Sequence, residues 1–142
     1  LMEVMQAQLA EIGVEMSVEQ VEVGQATSMF FEDLGHDLYC AGWSGRPDPS
    51  QTTNSLFAAD SFYNPGKYDS PGMAAALDEA SATQDHDARA AAFSEIIRLS
   101  QDDALLLPLL HSPDITAVYD DIGGFTPNLY GKVDVSFLWR ES

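Results

Sequence analysis

Two hydrophobic periodicities alternate over the first 43 residues, and their order constrains the fold more than any other feature of the chain. Met2, Met5, Leu9 and Ile12 recur at helical spacing with Gln and Glu between them, and Gly13 ends the pattern. Val14, Met16 and Val18 then alternate with Glu15, Ser17 and Glu19, the signature of a half-buried strand. The alternation slips near Gln20, because Val21 and Val23 occupy the opposite parity, and a bulge or strand end accounts for this. Residues 24–34 predict a second helix with Met29, Phe30 and Leu34 on its buried side, closed by Gly35. Residues 37–43 form a short apolar run bounded by turn residues, which predicts a buried strand. Helix, strand, helix, strand is the order of an α/β fold with a parallel or mixed sheet. The strand that ordinarily precedes the first helix is missing, so the chain is expected to be cut from something longer. An edge left unpaired in this way attracts other chains, and a homodimer of the isolated piece is expected.

The next stretch is punctuated by helix starts. Residues 44–49 make a rigid turn in which Asp48 can cap a helix, Pro49 is its first residue and Gln51 its third, a capping-box arrangement. That helix is predicted to run through about Phe57. Residues 59–70 read as a loop with Asn64-Pro65-Gly66 as a turn. Ser70-Pro71 opens a helix to about Ala82, and Asp85 or Asp87 caps another in which Arg89, Phe93, Ile96, Ile97 and Ser100 share a side. The pair predicts an αα-hairpin packed on the sheet, with Phe93, Ile96 and Ile97 buried on its inner face. Beyond Asp103 the pattern is extended over residues 105–111 and 115–119, followed by a Gly123-Gly124 turn.

The 142 residues suffice for one domain with a core, and a hydrophobic fraction of 45% argues for a folded chain. Twenty-three acidic residues against six basic ones give a net charge of −17, which excludes nucleic acid and anionic lipid as partners. The carboxylates are scattered, as in a solvated coat suited to a salty or exposed compartment; drift within a family is the alternative. One cysteine, Cys40, cannot form an internal disulfide. No apolar run approaches the ~20 residues of a membrane span, and residues 1–5 lack the basic start and apolar stretch of a signal peptide. Any export signal is therefore expected upstream. His36, His86 and His111 fall in three different expected elements without zinc-site spacing, so no metal is expected, and no cofactor. No Gly-x-Ser-x-Gly is present and no carboxylate pair stands out, so the chain is not expected to be an enzyme.

A ligand site is expected at the turn after residues 37–43, because open α/β sheets bind ligands beyond the C-terminal ends of their strands. Trp43 offers a flat apolar face, Ser44 and Gly45 offer approachable backbone groups, and the Arg46 guanidinium can hold a carboxylate bidentately. Asp48 joins them as a candidate ligand group, with helix capping as its other role. Trp43 as a core aromatic and Arg46 as a structurally paired side chain are the alternatives.

In order along the chain, several motifs resemble the family-5 solute-binding proteins, the dipeptide-, oligopeptide- and nickel-binding group of ABC importers. Residues 8–14 are similar to the family's helix-to-strand passage, His36-Asp37-Leu38 with Ala41-Gly42-Trp43 to its cleft strand, and Gly45-Arg46-Pro47-Asp48-Pro49 to its "G-R-x-D-P" turn. Residues 64–68 resemble the "N-x-x-x-Y" loop, and Asp78-Glu79-Ala80, Asp87-x-Arg89 and Phe93 the helical hairpin. Residues 107–111 resemble the "P-L-x-H" strand and Gly123-Gly124-Phe125 a glycine turn. The resemblance implies a type II periplasmic-binding-protein-like fold, here a partial lobe: a single partial domain over residues 1–142, most of the third domain of a parent, with the segment from about 112 returning toward the first domain. It implies a periplasmic, or extracellular and membrane-tethered, protein that captures a peptide or similar small solute and delivers it to ABC permease subunits. In peptide-binding members an acidic residue soon after the cleft tryptophan pairs with the peptide's amino terminus. Arg46 takes that place here, so an anionic ligand group is the expectation; Cys40, standing where some oligopeptide binders carry arginine, is a further departure from the peptide-binding pattern. A sensory, chemoreceptor-coupled binding protein and an α/β hydrolase-like enzyme are the other readings.

Overall fold

In the computed structural model, which describes residues 1–113, 115–128 and 132–140, helices supply most of the regular structure. The chain divides into two units, residues 1–39 and residues 40–142.

The first unit opens with α1 (Met2–Glu11), whose Met2, Met5 and Leu9 form one half-buried face, as their spacing requires. Gly13, at φ +80°, turns the chain out of the helix, and the Val14 N–H donates to the Leu9 carbonyl at 3.0 Å. Ile12, the residue that caps the end of α1 just before this turn, is exposed. The strand expected from Val14 onward does not form. Residues 14–22 run without a ladder partner, and the Gln6 side chain instead donates to the Met16 carbonyl at 2.6 Å. Residues 37–43 likewise remain outside any strand. Alternation selects a face, but a strand exists only where a neighbour takes its N–H and C=O groups. Val14 and Val18 accordingly stand exposed.

The second helix begins at α2 (Val23–Thr27), where the Glu22 carboxylate accepts from the N–H groups of Gly24 and Gln25. It widens into a π-helical stretch, Ser28–Glu32. Leu34 rather than Gly35 takes the left-handed position, at φ +53°, while the Gly35 N–H donates to the Met29 carbonyl. Phe30, Phe31 and Tyr39 pack with ring centroids 5.0 to 5.3 Å apart. No residue in this unit is fully buried.

The second unit holds the core. It comprises α3 (Pro49–Phe57), α4 (Pro71–Ala82) and α5 (His86–Asp102), the last capped by Asp85, whose carboxylate accepts from the Ala88 N–H at 2.8 Å. Helices α4 and α5 form the expected hairpin. Met73, Ala76, Leu77 and Ala80 supply one buried stripe and Ala92, Ile96 and Ser100 the other, with Phe57 of α3 against them. The alanines allow close approach, so Met73 and Ile96 are excluded from water almost completely. Each such side chain contributes roughly 1.5–3 kcal/mol of transfer free energy.

Of the three α5 residues expected inside, Ile96 is buried, Phe93 is half-buried and Ile97 is 53% exposed. The buried stripe advances by fours, 92, 96, 100, and Ile97 lies about 100° around the helix from it.

Arg89 fastens these helices together. Its Nε donates to the Ala80 carbonyl at 2.9 Å, its Nη2 to Asp48 Oδ1 at 2.6 Å, and its guanidinium lies 5.2 Å from the Phe93 ring centroid.

The sheet seen among the described residues is small and antiparallel, in place of the expected parallel or mixed one: β1 (Ile122–Gly123) pairs with β2 (Trp139–Arg140), Ile122 opposite Arg140 and Gly123 opposite Trp139. A Cβ on Gly123 would run into the Trp139 indole, and Gly124 sits at φ +78° against the Phe137 carbonyl, so both positions require glycine. The described parts of residues 105–111 and 115–119 carry no strand.

Candidate ligand-binding site

The turn into α3 is built by its acid. Asp48 is extended, and its Oδ1 accepts from the Ser50 N–H at 2.8 Å, the Ser50 hydroxyl at 2.6 Å and Arg89 at 2.6 Å. The Arg89 guanidinium, then the two Ser50 donors, hold its carboxyl down at about 2. Asp48 thus caps α3 and ties the turn to the hairpin.

Trp43 stands ahead of this turn with 40% of its surface in water. Its indole Nε1 donates to the Thr52 hydroxyl at 3.2 Å, which fixes the ring against the first turns of α3. The Arg46 guanidinium carbon lies 5.9 Å from the ring centroid, within cation–π range. Ser44 and Gly45 are exposed between them. Among the described residues Arg46 forms no ion pair, whereas Arg89, Arg98 and Arg140 each hold carboxylates at 2.5 to 2.6 Å. The turn therefore presents an uncommitted guanidinium on a chain of net charge −17.

Two residues not singled out in the sequence complete this surface. Tyr63 meets Trp43 edge to face, centroids 5.1 Å apart at 85°, and Phe62 meets Tyr63 at 5.2 Å and 83°. They sit on residues 58–68, a loop organised by the buried Asn64. The Asn64 amide donates to the carbonyls of Ala58 at 3.2 Å and Tyr68 at 2.8 Å, and its oxygen accepts from the Tyr68 N–H at 3.0 Å. This reciprocal pair is the physical content of the N-x-x-x-Y spacing. Lys67, not Gly66, takes the positive φ, at +52°. The Tyr68 hydroxyl donates to the Asp103 carboxylate at the end of α5, which pushes the phenol pKa up. The signal in the sequence was a pair of adjacent aromatics inside a loop, where large apolar residues lack a core to join.

A cavity of about 150 Å³ between α3 and α4, lined by Phe57, Tyr68 and Met73 among others, and an open groove of about 360 Å³ beside Trp139 both lie apart from the Trp43 turn. His36 pairs with Glu19 and His86 with Asp87, both at 3.2 Å, while His111 is exposed. Among the described residues no group of three or more His, Cys, Asp or Glu side chains is placed to hold a metal ion, and no helix is long and apolar enough to cross a membrane.

The chain is similar to known proteins over most of its length. The chain is 26% identical over 138 residues to probable di/tripeptide-binding protein 5 of Pseudomonas aeruginosa, covering 94% of this chain and 26% of that protein. It is 27% identical over 143 residues to the probable ABC transporter periplasmic-binding protein SapA of Escherichia coli, covering 98% of this chain and 26% of that one. With the oligopeptide-binding protein OppA of Mycobacterium tuberculosis it shares 28% identity over 127 residues, 87% of this chain and 21% of OppA. No protein-family model matches the chain, and no solved structure matches it significantly. Two of these relatives are named di/tripeptide- and oligopeptide-binding proteins and the third an ABC transporter periplasmic-binding protein, and over nearly its whole length the chain is similar to this family-5 solute-binding class. It spans about a quarter of the length of these relatives.

Proposed function

We propose that the chain is the C-terminal portion of a solute-binding protein that captures a peptide or similar small solute without chemistry and delivers it to a membrane permease. The uncommitted Arg46 guanidinium on the face of Trp43 carries this reading. In it the Trp43 ring covers an apolar part of the solute, the exposed backbone of Ser44 and Gly45 approaches it, and Arg46 takes a carboxylate or similar anion. Asp48 acts from behind, setting the turn through Ser50 and Arg89. The relatives' binding of peptides supports the solute class. The chain's quarter share of their length supports a partial type II lobe, closing with others over the ligand in a periplasmic or membrane-tethered parent. Exposed apolar side chains such as Val14, Leu38, Leu107 and Ile115 fit surfaces that other parts of such a parent cover, and in isolation they draw two copies of the chain together.

Native mass spectrometry of the full-length protein tests the capture. A small anionic solute released unchanged on denaturation is expected. A chemically altered or covalently attached product contradicts non-covalent capture.

A further inference from the structure

We infer that Phe62 and Tyr63 extend the Trp43 surface into a subsite for an aromatic side chain of the ligand, beside the anionic group held by Arg46; this rests on the solute-capture reading above. Trp43, Phe62 and Tyr63 are 40%, 47% and 41% exposed, and their rings form one chain of edge-to-face contacts with centroids 5.1 and 5.2 Å apart. Such an array presents ring faces and edges to an incoming ring at spacings that aromatic pairs favour. The array is held in place before any ligand arrives. Asn64 pins the loop through three hydrogen bonds, the Tyr63 N–H donates to the Ser61 hydroxyl at 3.2 Å, and the Trp43 indole N–H is taken by Thr52. Little ordering remains to be done on binding, which is the condition under which a small aromatic contact adds affinity. Charge complementarity selects the occupant: among the described residues the cation at the edge of this surface has no carboxylate of its own, so the ligand that fits is an aromatic acid or a peptide bearing an aromatic side chain near an anionic group.

The test is isothermal titration of the full-length protein with N-acetylphenylalanine and N-acetylalanine, two anions that differ by one ring. Wild type is expected to bind the phenylalanine compound about fivefold tighter or more, the order of one aromatic contact. Tyr63→Leu should remove that preference and Tyr63→Phe should restore it, which separates lost recognition from a collapsed loop. Arg46→Gln should weaken both compounds equally. If Arg46→Gln weakens both and Tyr63→Leu leaves the preference intact, the aromatic subsite is overturned and the anion reading stands. If Tyr63→Leu removes the preference and Arg46→Gln changes nothing, the subsite stands without the anion. A wild type that does not bind N-acetylphenylalanine, or does not prefer it, overturns the inference.

Discussion

Asp48 shows how much organisation one side chain imposes. Its carboxylate closes the first turn of α3, takes the Ser50 hydroxyl and accepts from Arg89, and through Arg89 it reaches the Ala80 carbonyl at the end of α4. Because its folded pKa, about 2, lies below the unfolded value, its contribution to stability is complete above about pH 4. That contribution is lost as the pH falls from about 4 through 2. Urea midpoints measured from pH 5 to pH 2 should therefore fall more steeply for wild type than for Asp48→Asn. Parallel slopes would show that the Arg89 contact is not maintained in solution. The cap was legible in the sequence, since Asp-Pro at a helix start is a local signal. The contact with Arg89 was not, because it joins positions 41 residues apart. Asn64 was legible only as a turn residue; its three hydrogen bonds depend on where Ala58 and Tyr68 are brought by the helices on either side.

At the scale of elements, the α4–α5 hairpin was the most readable part of the chain and the expected sheet the least. The helix starts at Pro49 and His86 follow from the carboxylates of Asp48 and Asp85 before them, and the start at Pro71 from the proline itself, since the Ser70 side chain makes no capping hydrogen bond. A strand depends on a partner, and the alternation in residues 14–18 carries no information about where that partner lies. The one sheet seen among the described residues was announced only by Gly123-Gly124, whose lack of side chains admits Trp139. Within the hairpin, the apolar positions of α5 placed both Ile96 and Ile97 inward; the buried alanines of both helices turn Ile96 inside and leave Ile97 exposed. Ile96→Ala should cost about 2–5 kcal/mol, since it opens a cavity beside Met73. Ile97→Ala should change stability by no more than about 0.5 kcal/mol. Chemical denaturation of the two variants checks this, and equal losses would mean that the hairpin's inner face is drawn wrongly.

For the molecule as a whole, the core lies in residues 40–142, while residues 1–39 carry no fully buried side chain. Large apolar residues remain exposed in both units. The central claim is that Arg46 is a ligand group, and comparison with Arg98 tests it most directly. Arg98 is held by Glu95 in a bidentate pair at 2.8 and 2.6 Å and by Asp102 at 2.5 Å, so it has its anions already. Truncating one partner of a desolvated charge pair costs about 2–5 kcal/mol of binding, whereas a rim charge matters little. Isothermal titration of the full-length protein with its co-purified solute should show Arg46→Ala weakened by that amount and Arg98→Ala unchanged. Equal affinities for the two variants, with the fold intact, would make Arg46 a scaffold residue and contradict the account.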